Sequence, residues 1–175
     1  GFGKRPFESI SVHGLVLDIS KRKMSKSSGN SVPPSEVIAK YGRDFLRYYL
    51  VKFSRGEDFS YNENEFAEIR KIAGTLTNVS NFIEQIDRGK SKLSVEDKWI
   101  ISRYNNMIRE VTEAYNKYKF YTAIELLEKF LVEDLSRTYI QLIRDRSVEV
   151  RELLSVMREG LLILFSPIMP FLTEA

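Results

Sequence analysis

Lys23-Met24-Ser25-Lys26-Ser27 sets two ammonium groups three residues apart among small polar residues, and Ser28-Gly29-Asn30 follows directly. Lys21 and Arg22 add two more cations just before it. Such a loop can offer charge and free backbone donors to a polyphosphate, whose negative charge shifts onto the leaving oxygens as the α-phosphate is attacked. Lysine suits that task, because a compact charge on a flexible stem follows moving charge better than a planar guanidinium does. Its value depends on excluding water: an ion pair at about 4 Å is worth roughly 1 kcal/mol in bulk water and about 4 kcal/mol at an effective dielectric near 20. Closure over a nucleotide therefore belongs to any such mechanism, with the serines and Gly29 supplying mobility. The glycine spacing is not that of a Walker phosphate loop. On spacing alone, the string fits a solvated basic surface turn as well.

The elements that must position this loop differ on its two sides. Before it, Ile10 to Asp18 reads as a strand, with Ile10, Val12 and Val16 on one face and Leu15 and Leu17 on the other. Residues 19–30 are polar, basic and serine-rich, an exposed loop. After it, helical spacing takes over. Pro33 and Pro34 open a short helix ending near Gly42, and a second helix runs from about Arg43 to Phe53. Ser54 to Tyr61 is a turn-rich break containing Gly56. Phe66, Ile69, Ala73, Leu76, Val79, Ile83 and Ile86 then recur at three- and four-residue intervals, the mark of one buried helix face. Asp87 to Lys92 reads as a linker.

Ser94 with Asp97 three residues on predicts a capping box, ahead of a helix bearing Ile100, Tyr104, Ile108, Val111 and Tyr115. A further helix is expected from Phe120 to Arg146, with Ala123, Leu127, Phe130, Leu131, Leu135 and Tyr139 inward. The last runs from about Val148 to Phe165 and is closed by Pro167. Four long helices with short joints predict a mainly α fold, an antiparallel bundle preceded by a short strand and loop.

Composition narrows the function classes. Of 175 residues, 43% are hydrophobic and 29% charged, enough apolar surface to repay the entropy of ordering. With no cysteine and one histidine, His13, disulfides and the common zinc sites are excluded, and no metal ligands are expected. The longest apolar stretch, 161–172, is interrupted by Ser166, Pro167 and Pro170 and is too short to cross a bilayer. A net charge of +3 permits nucleic-acid binding without announcing it. The absence of cysteine fits a cytoplasmic protein, and a chain that opens on Gly1 and stops within an apolar segment is expected to be a piece of a longer one.

Lys23 to Ser27 is identical to the KMSKS motif of the class I aminoacyl-tRNA synthetases. The flanks 13–18 (HGLVLD) and 28–33 (SGNSVP), with 37–42 (VIAKYG) and 44–50 (DFLRYYL) downstream, resemble the isoleucyl branch of that family. Residues 132–137 (VEDLSR), Tyr139 and 143–146 (IRDR) are similar to the anticodon-binding bundle of its archaeal type, and 166–172 (SPIMPFL) to its last helix joint. The valyl branch is the nearest sibling. The chain departs from the family at Lys21, where glycine is usual, at Arg43, where alanine is common, and at Thr77, where tryptophan is.

The resemblance implies an enzyme that activates isoleucine with ATP and Mg²⁺ and transfers it to isoleucine tRNA, monomeric when complete. Lys26 would contact the ATP phosphates and stabilise the adenylation transition state, Lys23 would support it, and Met24, Ser25 and Ser27 would shape the nucleotide site. It also implies a division into 1–60 (end of a Rossmann-like α/β catalytic domain, with the loop and stem-contact helices), 61–90 (connecting helix and linker) and 91–175 (anticodon-binding bundle). The family's His-x-Gly-His motif cannot exist in a chain with one histidine, so this chain alone is expected to be inactive.

Arg137, Arg144 and Arg146 lie along a helix that could contact tRNA phosphates, although pairing with Glu133, Asp134 and Asp145 is the commoner fate of such residues on helix surfaces. His13 reads as a satisfied structural histidine, and Phe66, Trp99, Tyr104, Phe130 and Tyr139 read as core. Two other classes of function compete: a non-catalytic RNA-binding module of the same descent, and a helical scaffold for protein association.

Overall fold

The computed structural model describes residues 7, 8, 10, 12–89 and 92–174. Strand β1 (Val16–Leu17) pairs in parallel with β2 (Phe59–Ser60), in the register Val16 to Phe59 and Leu17 to Ser60. The Phe59 and Tyr61 N–H groups donate to the Leu15 and Leu17 carbonyls at 3.0 and 2.7 Å. The strand expected over 10–18 is thus much shorter, and of its residues Ser11 lies outside the described ones. A ladder extends only as far as its partner, and β2 is two residues long. Ile10, Val12 and Leu15 accordingly stay exposed instead of facing a core.

Between the strands lie the loop and two helices, α1 (Pro34–Tyr41) and α2 (Arg43–Phe53), with the expected bounds. Gly42, at φ 92°, closes α1 by donating to the Ile38 carbonyl at 2.8 Å and turns the chain directly into α2, a conformation a side chain would strain. Tyr49 of α2 stacks on Phe66 at 4.8 Å, and Tyr41 stacks on the same ring at 4.2 Å. This aromatic cluster fastens the loop-bearing region to α3 (Phe66–Gln85), whose six expected inward residues are all buried, as is Ile86 just past its end.

The bundle continues with α4 (Val95–Asn116) and a helical rod over 120–142. That rod is α5 (Phe120–Lys129), a π-helical stretch (Phe130–Tyr139) and α6 (Ile140–Leu142). A 3₁₀ turn (Arg144–Val150) leads into α7 (Arg151–Phe165), and α8 (Pro170–Glu174) follows. One helix was expected to reach Arg146, but it ends near Ile143 (φ −100°, ψ 7°), and Arg146 is non-helical at φ −132°. The last long helix therefore begins at Arg151, not Val148. Trp99 is 37% exposed, against the expectation of core. It precedes the fully buried Ile100 by one residue, about 100° around the helix, which turns it out of the bundle.

α2 ties the two halves together. Tyr48 Oη and Lys52 Nζ both donate to Glu128 Oε1 on α5, at 2.6 and 2.7 Å. Arg47 Nη2 and Nε donate to the Pro167 and Ile168 carbonyls at 2.7 and 3.0 Å, while Asp44 Oδ2 accepts the Leu172 N–H at 2.6 Å. One helix face thus holds both arms of the α7–α8 corner, its cation on the carbonyl end and its carboxylate on the amide end.

Candidate phosphate-binding loop

The loop leaves β1 through a tight reversal. The Asp18 N–H donates to the Arg22 carbonyl at 2.9 Å and the Arg22 N–H donates back to Asp18 Oδ1 at 2.9 Å, while the Lys21 N–H donates to the Asp18 carbonyl and Lys21 takes φ 60°. Leu17 and Lys23 form an isolated antiparallel bridge across that turn. The chain then coils through 25–29: Ser28 N–H donates to the Ser25 carbonyl, Gly29 N–H to the Lys26 carbonyl, and Gly29 sits at φ 67°. Ser25 Oγ donates to Ser28 Oγ at 2.7 Å and lies 3.2 Å from Ser27 Oγ.

Lys23, Lys26 and Ser27 are exposed, and Met24 and Ser25 half-buried. Neither lysine forms an ion pair among the described residues. The cations therefore point to solvent on a short coil that its own hydroxyls organise. Such a surface can receive an anion larger than a carboxylate and move with it.

Asp18 and Asn30, which sequence reasoning passed over, hold the base of this coil. Asp18 is 8% exposed and accepts from Ser20 N–H, Arg22 N–H, Arg22 Nε and Asn30 Nδ2. The Asn30 bond foremost, then the Arg22 backbone bond, lower its carboxyl to about 2. The available signal was an Asx residue on each side of a turn, a placement that favours side-chain bonds to local backbone.

The three arginines separate. Arg137, on the π-helical stretch, and Arg144 are exposed and outside the ion pairs found among the described residues, so the expected pairing with Glu133, Asp134 or Asp145 is not formed there. Asp134 is taken by Arg103 at 2.9 Å. Arg146 instead turns inward, its Nη2 lying 2.7 Å from Asp97 Oδ1, 2.7 Å from Ser94 Oγ and 2.8 Å from Glu96 Oε1. With its donors engaged at the start of α4, it is ion-paired, as one of its two readings had it, but with Glu96 and Asp97 instead of Glu133, Asp134 or Asp145.

His13 is exposed, its Nδ1 2.9 Å from the carbonyl of Gly14, at the rim of a cavity of about 630 Å³ between β1, α2 and the α4–α5 turn. The expected satisfied structural histidine is thus exposed, with one ring nitrogen beside its neighbour's carbonyl. Among the described residues no cluster of three or more metal-ligating side chains occurs, and no helix is long and apolar enough to cross a membrane.

Residues 97–175 match the family model for the anticodon-binding domain of tRNA ligase, and residues 2–62 match that for class I tRNA synthetases (I, L, M and V). The chain belongs to the class I aminoacyl-tRNA synthetases. It is 36% identical to the isoleucine–tRNA ligase of Methanosarcina barkeri over 99% of this chain and 19% of that protein. Against the valine–tRNA ligase of Clostridium perfringens it is also 36% identical, over 98% of this chain and 22% of that one. It spans about a fifth of the length of these curated relatives.

Two solved synthetases share the fold. The Agrobacterium radiobacter K84 agnB2 LeuRS, in a ternary complex with tRNA and LeuAMS, superposes with a TM-score of 0.74 at 22% identity, over 93% of this chain and 21% of that one. The Mycobacterium tuberculosis methionyl-tRNA synthetase bound by methionyl-adenylate gives 0.72 at 20% identity, over 93% and 36%. The shared fold thus takes in nearly the whole chain.

Proposed function

We propose that this chain is the part of an isoleucine-specific class I synthetase that carries the ATP-phosphate loop and the anticodon-binding bundle. The observation that carries the reading is the Lys23–Ser27 string on an exposed coil whose lysines have no ion-pair partner among the described residues. In the complete enzyme the isoleucine carboxylate attacks the α-phosphorus of ATP. The bond to the bridging oxygen breaks, and pyrophosphate leaves with the electron pair. Lys26 faces the charge growing on the departing oxygens, Lys23 adds a second cation, and Met24, Ser25 and Ser27 shape the loop and offer donors. Interactions that strengthen as charge develops accelerate the step, whereas equal binding of ground and transition states does not.

Mg²⁺ would accompany ATP and offset part of the phosphate charge, and no residue of this chain is assigned to hold it. The division into 1–60, 61–90 and 91–175 belongs to the same reading and is supported by the family matches at 2–62 and 97–175. Arg137 and Arg144, exposed on one stretch of the bundle, are the phosphate contacts we assign for isoleucine tRNA. The complete enzyme is taken as monomeric and cytoplasmic.

Isoleucine rests on the motif flanks together with the archaeal isoleucine ligases among the relatives. The equal identity of the Clostridium perfringens protein favours valine as the second reading. Binding of the chain to isoleucine and valine tRNA transcripts over a salt series separates them: preference for one names the amino acid, and equal, steeply salt-dependent binding means that phosphate contacts alone are at work.

Catalysis is tested with Lys26→Ala in the complete enzyme. ATP–pyrophosphate exchange should fall on the order of 10²- to 10³-fold while tRNA affinity stays nearly constant. Unchanged exchange would remove Lys26 from the mechanism and favour a non-catalytic tRNA-binding module. The isolated chain should show no exchange at all.

A further inference from the structure

Asp18 is the buried carboxylate at the root of the loop, and its partners among the described residues all belong to the hairpin. Its Oδ1 accepts the Ser20 and Arg22 N–H groups, both at 2.9 Å, and its Oδ2 accepts Arg22 Nε at 3.1 Å and Asn30 Nδ2 at 2.8 Å. The Asn30 amide then faces the other way as well. Its Nδ2 donates to the Lys23 carbonyl at 3.2 Å, and its Oδ1 accepts the Ser25 N–H at 3.0 Å. One side chain therefore brackets Met24, fixing the peptide groups on both sides of it. Beyond Ser25 the coil is held by serine hydroxyls and two long backbone bonds of 3.2 and 3.3 Å, all exposed.

Only an amide can do this. A carboxylate at position 30 has no proton for the Lys23 carbonyl and would sit against a like charge at Asp18, while a hydroxyl cannot span both peptides. Asp18, able only to accept when ionised, in turn dictates which end of the Asn30 amide points toward it. We infer that Asp18 and Asn30 are positioning residues for amino-acid activation: the oriented amide makes Lys23–Ser25 the stationary root from which Lys26 swings onto the departing pyrophosphate.

This rests on the synthetase reading above, and it deepens that reading by naming what sets the reach of Lys26. Lys23 and Lys26 are then unequal. Lys23 is anchored through its own carbonyl, and Lys26 sits on the mobile side, three residues along. A root displaced by about 1 Å misplaces Lys26 enough to cost on the order of 100-fold in rate.

The test uses the complete enzyme with Asn30→Ala, Asn30→Asp, Lys26→Ala, the pair Asn30→Ala/Lys26→Ala and the exchange Asp18→Asn/Asn30→Asp. Asn30→Ala should lower the maximal rate of ATP–pyrophosphate exchange on the order of 10- to 100-fold with an unchanged KM for the amino acid. In the Lys26→Ala background the same change should matter by less than about 3-fold, because Asn30 acts through Lys26. Asn30→Asp alone should be at least as slow as Asn30→Ala. The exchanged pair, which restores an 18–30 bond and the acceptor for Ser25, should recover roughly half of the loss on a logarithmic scale. The exchanged pair also keeps the test open should Asn30→Ala fail to fold.

Wild-type rates in Asn30→Ala, alongside a slow Lys26→Ala, would overturn the positioning role and leave the synthetase reading standing. Equal losses from Asn30→Ala with and without Lys26 would also overturn it, since that is the behaviour of a merely structural residue. Wild-type rates in Lys26→Ala would bring down both.

Discussion

Lys21 turns the hairpin at φ 60°, a left-handed conformation that costs a residue with a Cβ about 1–2 kcal/mol. It is also the position where the family usually has glycine, and the geometry gives the reason. Lys21→Gly should therefore raise the stability of the chain by roughly 0.5–1 kcal/mol, the relief of strain being partly offset by the greater freedom of glycine in the unfolded state. Urea denaturation measures this, and a loss of stability would mean that the turn is relaxed around lysine. At this scale the sequence is legible where residue type is enough. Lys23 and Lys26 stand out as charges in a serine-rich stretch, whereas Asp18 and Asn30 do not, because their partnership across twelve residues follows no periodicity. Arg146 reads like its neighbours Arg137 and Arg144 until the break at Ile143 turns it toward Asp97.

Among the elements, the helices are legible because apolar spacing and caps are local. The bounds of α1 and α2 follow from Pro34 and Gly42, and the inward faces of α3 and of the rod over 120–142 follow from three- and four-residue spacing. The two-residue strand β2, the π-helical stretch and α8 are not, since pairing, helix widening and docking depend on distant contacts. Gly160 illustrates the conflict. In the middle of α7 it is poorer than alanine by about 1 kcal/mol in helix propensity, yet a Cβ there would lie 1.7 Å from Tyr104 Oη, which donates to the Val156 carbonyl at 3.1 Å. Gly160→Ala should thus destabilise the chain by about 1–2 kcal/mol despite the gain in propensity. Adding Tyr104→Phe, which removes the clashing hydroxyl, should return part of that loss. Thermal unfolding of the three variants reads both effects, and a stabilised Gly160→Ala would mean that Tyr104 yields freely.

For the molecule as a whole, polar ties between remote segments matter as much as the apolar core. Burial opposes the ionisation of Asp97, but bonds from Arg146, Tyr139 and Ser94 outweigh it and hold the carboxyl down at about 2. A carboxyl depressed in the folded state stabilises fully above its unfolded value of about 3.8 and ceases to do so as pH falls through about 2. The chain should accordingly lose stability steeply over that acid window. Asp97→Asn should flatten this part of the profile, and Asp97→Ala should cost roughly 1–3 kcal/mol at neutral pH, because Tyr139 Oη and the Ser94 N–H lose their acceptor while Arg146 keeps only Glu96 and Ser94 Oγ. Stability measured against pH for the three proteins checks this, and an unchanged acid limb in Asp97→Asn would clear Asp97 of the effect. The grip of Asp44 and Arg47 on the α7–α8 corner reaches further, into the order in which the chain is made. On the ribosome α2 emerges more than a hundred residues before the carbonyls of Pro167 and Ile168 and the amide of Leu172. Until then its carboxylate and guanidinium have only water to bond. The loop region must therefore wait for the far end of the bundle to be synthesised before its last fastening closes.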